Sequence, residues 1–223
     1  MRDQTALKRV TKVLTSGKGK QFFPLNDHLV SGNLKIPRTT AIFNMGSATD
    51  CPSNKLGLCT AYALGSRGKR LHICYALKAE RGHFKYPLQS RRRQETFWKT
   101  VSAEDFVSQF ILLNSIKELP YDKLRLNESG DFWDQECVTK ANLIAMLLKR
   151  WGIRTYCYTH RRDLDFSGCN HLVVSGSGFK VHNHFQMIRK SEFKPKGYMM
   201  CPMDCRKCDK CSTKGHKIAV VRH

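Results

Sequence analysis

The sequence is short of acid, of long apolar runs and of repeats, and each shortage excludes something. Asp and Glu total 18 against 39 Lys and Arg, for a net charge of +21. That imbalance excludes an acidic, cation-buffering protein. It predicts attraction to polyanions, with nucleic acid the commonest partner. No apolar run approaches the roughly 20 residues of a membrane span, so no membrane partner is expected. The opening stretch, MRDQTALKRVTKVLTSGKGK, is positive but has no apolar core for export. A cytoplasmic location is therefore expected, where thiols stay reduced. No internal repeat and no sizeable second domain is seen. Apolar residues at 41% and charged residues at 26% fit a globular chain rather than a disordered one. At 223 residues the chain can build a core without a disulfide framework.

Cysteine, by contrast, is plentiful, with ten residues in three sets. Cys51, Cys59 and Cys74 lie in DCPSNKLGLCTAY and HICYALK. Cys201, Cys205, Cys208 and Cys211 form the tail CPMDCRKCDKC. Grouped thiols in a reducing compartment read as metal ligands. Cys137 and Cys157 read as small buried side chains, and Cys169, in FSGCNH, reads either way. A four-cysteine zinc site usually pairs two separate CxxC knuckles, which a continuous Cx3Cx2Cx2C does not supply. Bacterial ferredoxins use Cx2Cx2Cx3CP, and the tail has those gaps in reverse, with Pro202 after the odd Cys201. The tail therefore favours a [4Fe-4S] cluster, with zinc as the alternative. One cluster could draw ligands from both groups, or the three first-loop cysteines could hold an open cluster and the tail a second.

The periodicities predict a strand over 39–45, a helix from Cys74, another from Pro87, and an N-cap at Ser102 before SAEDFVSQFILLNSIKEL. A strand over 123–129, a helix over 138–152 ending at Gly152, and strands over 153–160 and 171–177 follow. YMMC and HKIAVVRH read as further short strands. Alternating strand and helix predicts an α/β fold, a single-domain parallel partial (β/α) barrel over 39–223. Residues 1–38 read as a basic arm, and 198–215 as a cysteine-rich C-terminal segment. In such barrels chemistry collects at the C-terminal strand ends. There stand the first cysteine loop, Ser129-Gly130-Asp131, Thr159-His160-Arg161 and Ser175-Gly176-Ser177-Gly178.

The ordered set NLKIPRTTAIFNMGSATDCPS, LGLC, CYALKAERG, LRLNESGDFWDQE, YCYTHRRDL and the CP…C..C..C tail resembles the gene product 88 family, small cysteine-rich proteins found mainly in bacteriophages. That resemblance implies a viral protein made in a bacterial host cytoplasm. The order of features is also similar to radical S-adenosylmethionine barrels. That second resemblance implies cluster ligands at Cys51, Cys59 and Cys74. It also implies S-adenosylmethionine as a candidate cofactor, held by Gly130, Ser175 and Ser177. The first-loop gaps are seven and fourteen residues, whereas that family's CxxxCxxC spacing occurs here as Cys201, Cys205 and Cys208.

Asp131 is the acidic residue best placed for catalysis, with helix capping as its other role. Glu128 could point into the barrel instead. His160 and Arg161 could hold an anion; His182 and His184, one residue apart, would face the same side on a strand, where they could ligate a metal. Arg91, Arg92 and Arg93 cannot all face one way on a helix. The expected function is redox or radical chemistry at a cluster on an unidentified substrate. The alternative is a non-catalytic basic protein that binds nucleic acid and is stapled by a cluster or zinc.

Overall fold

Short apolar runs bounded by turn residues build the sheet, and the helices cover one of its faces. The chain is described by a computed structural model, which covers residues 25–59, 62–64, 70–72, 74–82 and 86–221. The segment 1–24 of the expected arm lies outside the described residues. Residues 25–28 form a 3-10 turn, and β1 (Val30–Ser31) follows it. Leu25 is fully buried in the main core, and His28 stacks on Phe97 at 4.6 Å between ring centroids.

β2 (Thr40–Phe43) is buried on both faces, as central parallel strands are. The first loop then carries α1 (Pro52–Lys55), the hairpin β3 (Tyr62–Leu64) and β4 (Arg70–His72), and α2 (Tyr75–Glu80). α3 (Tyr86–Thr100) and α4 (Ala103–Ser115) lead to β5 (Lys123–Leu126). α5 (Gln135–Lys149) leads to β6 (Arg154–Thr159). Then come β7 (Val173–Ser177), β8 (Asn183–Ile188), β9 (Met199–Met200) and β10 (Lys217–Val221).

Ser102 caps α4, accepting the Asp105 N–H at 3.0 Å, as its sequence pattern predicts. α5 begins at Gln135 rather than Val138, because the Asp134 side chain accepts the Cys137 N–H at 2.8 Å and starts the helix a turn early.

The eight strands of the main sheet run β1-β2-β5-β6-β7-β8-β10-β9, all parallel except the β1–β2 pair. The expected barrel reduces to this coarser form: an open, mostly parallel α/β sheet with no pairing between β1 and β9 among the described residues. The physical reason lies in the connections. Helices span the crossovers β2 to β5 and β5 to β6, whereas β6 to β7 and β7 to β8 are bridged without any. Five residues join β7 to β8, although parallel neighbours ordinarily need a dozen or more. The register explains how. Ser175 pairs with Asn183, so β8 starts level with the middle of β7 and the chain steps back only two positions. The return is so tight that a Cβ on Gly176 would stand 2.3 Å from the Phe179 carbonyl oxygen.

Alternation along β5 separates the two faces. Leu124 and Leu126 enter the helical core with Ala41, Phe43 and Cys157, while Lys123 and Arg125 face the other way. Phe43 meets Phe106 edge-on at 5.2 Å, with Phe97 and Trp98 close by. Each such ring stabilises the fold by roughly 1.5–3 kcal/mol through burial. Cys137, Cys157 and Cys169 are all buried. Among the described residues no helix is long and apolar enough to cross a membrane.

Candidate metal centres

The loops after β2 and β5 are stitched together by side chains. Asn44 Oδ1 accepts the Ser129 N–H at 2.8 Å, and the Asn127 N–H donates to the Phe43 carbonyl at 3.1 Å. Glu80, buried at the end of α2, accepts from the Ala48 N–H (2.7 Å), the Thr49 N–H (2.8 Å) and Arg91 (2.9 Å). Beneath them Asp131 is buried with four donors. Ser53 Oγ (2.6 Å) and the His160 N–H (2.9 Å) reach one oxygen; Thr159 Oγ1 (2.7 Å) and the Phe132 N–H (2.9 Å) reach the other. These donors occupy about all the lone-pair directions a carboxylate has.

The charge of Asp131 reaches two of the first-loop cysteines, Cys51 and Cys59, and Cys59 in turn feels Cys74. Cys51 immediately precedes α1 and Cys74 immediately precedes α2. The β3–β4 hairpin fills the long gap between Cys59 and Cys74. Its antiparallel pairing of Tyr62 with His72 returns the chain to its starting end, so Cys74 comes back near enough for its charge to act on the Cys59 thiol. Burial, reinforced by the Asp131 charge, pushes the Cys51 thiol up to about 12. Burial, then Cys74 and Asp131, pushes Cys59 equally high. His160 is held below the usual imidazole range by burial, with the Asp131 charge opposing that shift.

The tail lies on the sheet's other face. The Cys201 N–H donates to the Ala219 carbonyl, and the Cys205 N–H to that of Lys35, both at 2.8 Å. Cys201, Cys205, Cys208 and Cys211 all line one cavity of about 30 Å³, with Thr40, Lys123 and Tyr156 from three strands on its wall. Burial raises Cys205 and pushes Cys211 to about 12, and the Arg125 charge opposes both shifts. Arg125 stacks over the Tyr158 ring at 5.1 Å, and its Nε is buried without a hydrogen-bond partner.

The tail's donor set, four thiols on one cavity, suits a tetrathiolate centre. The side chains are not drawn into closed ligand spheres, however. Among the described residues no three His, Cys, Asp or Glu groups are gathered closely enough to hold a metal ion.

The other predicted site residues are placed as follows. Glu128 accepts from Asn33 Nδ2 at 2.7 Å at the surface, and its carbonyl accepts from the Tyr75 hydroxyl. Gly130 has φ +75°, and a Cβ there would stand 2.6 Å from the Gly46 carbonyl oxygen, so close loop packing requires glycine. Ser175 is fully buried within the sheet and accepts from Asn183 Nδ2 at 3.3 Å; Ser177 ends β7. The Arg161 guanidinium bonds Asp163 and the carbonyls of Phe132 and Trp133. His182 Nδ1 accepts the Val174 N–H, and His184 Nδ1 meets the Tyr198 hydroxyl. Sequence reasoning missed Arg125 altogether, because a lone arginine in KLRL reads as surface charge. The available signal was its position on the same strand face as Lys123, between two apolar residues.

No curated protein and no solved structure matches the chain. A family description, gene product 88, matches residues 5–190. That span takes in the first loop, the strand ends and the β7–β8 return, and it stops short of Cys201. On a match over most of its length, the chain belongs to the gene product 88 family.

Proposed function

We propose that this protein is an iron–sulfur protein. On this reading Cys201, Cys205, Cys208 and Cys211 hold a [4Fe-4S] cluster, and Cys51, Cys59 and Cys74 form a second, open site for redox or radical chemistry. The carrying observation is four thiols lining one cavity, with the charge of Arg125, whose Nε is buried without a hydrogen-bond partner, acting on two of them. Thiols of raised pKa stay protonated without metal, and a bound metal converts them to thiolates. Arg125 would then balance the negative charge they gain. When bound, such a cluster supplies one-electron transfer.

Asp131, with every acceptor direction taken, is on this reading a positioning residue. It fixes Ser53 and the strand ends so that Cys51 keeps its place. S-adenosylmethionine has less support, since Gly130 and Ser175 already have packing roles. Zinc is the second reading, favoured by the cavity itself. A space of about 30 Å³ suits a single ion with thiolate ligands.

The test is iron, zinc and acid-labile sulfide content of anaerobically purified protein, with its visible spectrum. About four irons and four sulfides per chain, or twice that, carry the iron–sulfur reading. Zinc without sulfide replaces it with the second. Neither metal in stoichiometric amount overturns both.

A further inference from the structure

Beside the tail cavity an open cleft of about 760 Å³ runs between the tail and the N-terminal ends of β5 and β6. Five cationic residues line it: Lys123, Arg154, Arg206, Lys207 and Lys210. Asp209 is the only carboxylate residue on that lining. Arg154, Arg206, Lys207 and Lys210 are exposed. We infer that this cleft binds the phosphodiester backbone of nucleic acid.

Three observations carry the inference. The first is the concentration of charge: these cations converge on one concave face, not the scatter that a basic composition alone would produce. The second is how weakly their own acids hold the exposed ones. Lys123, 15% exposed, is held by Asp122 at 2.7 Å. Arg154 meets Asp209 at 3.2 Å, and Arg206 meets Asp204 through contacts of 2.7 and 3.0 Å, with both arginines 42% or more exposed. Exposed pairs of that kind contribute roughly 0–1 kcal/mol, so a phosphate can compete for either guanidinium. The third is the remaining lining. Pro37, Thr39, Met199, Met200 and Pro202 provide no aromatic platform on which bases could stack. Contact through phosphates rather than bases follows, and with it binding that is insensitive to sequence and steep in salt.

The inference names a partner for the tail face. It rests on the proposed function only in that a metal centre would hold Arg206, Lys207 and Lys210 in place. The experiment is fluorescence anisotropy of the purified holoprotein with labelled single-stranded DNA, duplex DNA and RNA across a salt series. Metal content is measured on every sample. Lys207→Glu/Lys210→Glu should weaken binding about tenfold or more at 0.1 M salt, and lower the salt slope by about one for each phosphate that is no longer neutralised. The pair Arg93→Glu/Lys99→Glu, on the helical layer, should change little.

If the tail pair loses metal as well as binding, Arg154→Gln, on β6 and outside the tail, makes the decision: it should still weaken binding with metal retained. Equal weakening by both charge-reversed pairs would overturn the cleft. Equal competition by short polyphosphate and by nucleic acid would overturn the ligand class. Anaerobically purified wild-type protein that carries no stoichiometric metal and still binds through the cleft would overturn the metal reading and leave this one standing.

Discussion

Asp131 shows how much a single buried residue decides here. No cation stands within ion-pair distance of it among the described residues, and four hydrogen bonds hold it instead. Burial pushes its carboxyl up from the usual range, while those four donors work against that shift. Removing the carboxylate leaves Ser53, Thr159 and two backbone N–H groups without an acceptor. Each buried donor left unpaired costs about 1–3 kcal/mol. Asp131→Ala should therefore lower stability by about 3 kcal/mol or more, and Asp131→Asn by less, because the amide keeps one acceptor oxygen. Urea unfolding of the two variants measures this. A loss below about 1 kcal/mol for Asp131→Ala would mean that solvent or a shifted loop satisfies those donors. The raised thiols of Cys51 and Cys59 draw on the same charge, so Asp131 links loop position to cysteine chemistry.

At the scale of elements, the decisive contacts are between loops. Gly130 lies against the backbone of Gly46 with a positive φ, so the turn after β5 and the turn after β2 close on each other only without a side chain. Gly130→Ala adds a methyl where the neighbouring atoms are backbone and cannot swing aside. It should cost more than about 1 kcal/mol and loosen the first loop. Faster amide exchange at Ser129 and Ala48 in the variant would report that loosening, and unchanged exchange would show that the turns pack independently.

Much of the element order is legible in the sequence, for physical reasons. TTAIFNM, KLRLNES, RTYCYTH and HLVVSGS alternate or bury on both faces; Ser102 caps its helix visibly; strand ends gather the polar residues. β8 is not legible, because KVHNHFQMI is polar and a strand there requires a five-residue parallel return. Nor is the β3–β4 hairpin, which turns the chain back within the fourteen-residue gap between Cys59 and Cys74. The open edge of the sheet among the described residues is not legible for a related reason, since periodicity shows strands and helices but not which crossovers lack a helix. The site residues were partly readable as an edge; what each side chain does there depends on partners far along the chain, such as Ser53 for Asp131.

For the whole molecule, the carboxylates are few, and most of those among the described residues are engaged, which predicts a marked weakness in acid. Hydrogen bonds from Arg92, Arg161, Arg206 and Arg154 hold Asp50, Asp163, Asp204 and Asp209 below the usual carboxylate range. Asp163 and Asp209 are exposed and Asp50 and Asp204 partly so, and pairs near the surface contribute little individually. Glu80 matters more. Burial alone would raise its carboxyl, but the Ala48 N–H, Arg91 and Thr49 outweigh burial and lower it. A carboxyl whose folded pKa lies below its unfolded one binds fewer protons when folded. Its contribution is therefore complete above about pH 4.5 and disappears as pH falls through the folded value. His28 and His182, depressed by burial, act in the same sense at higher pH: they resist protonation when folded, so stability declines as pH falls below about 6.5. Each carboxylate neutralised also adds to a net charge that is already +21, which strengthens self-repulsion. The urea midpoint should thus fall gently from pH 7 to 5 and steeply below about pH 4.5, with added salt restoring part of the loss. Glu80→Gln should be less stable at pH 7 and show a shallower acid limb, because the group that titrates has gone. A midpoint that stays level between pH 5 and 3 would mean that the arginine-held carboxylates and Glu80 do not hold the first loop to the sheet.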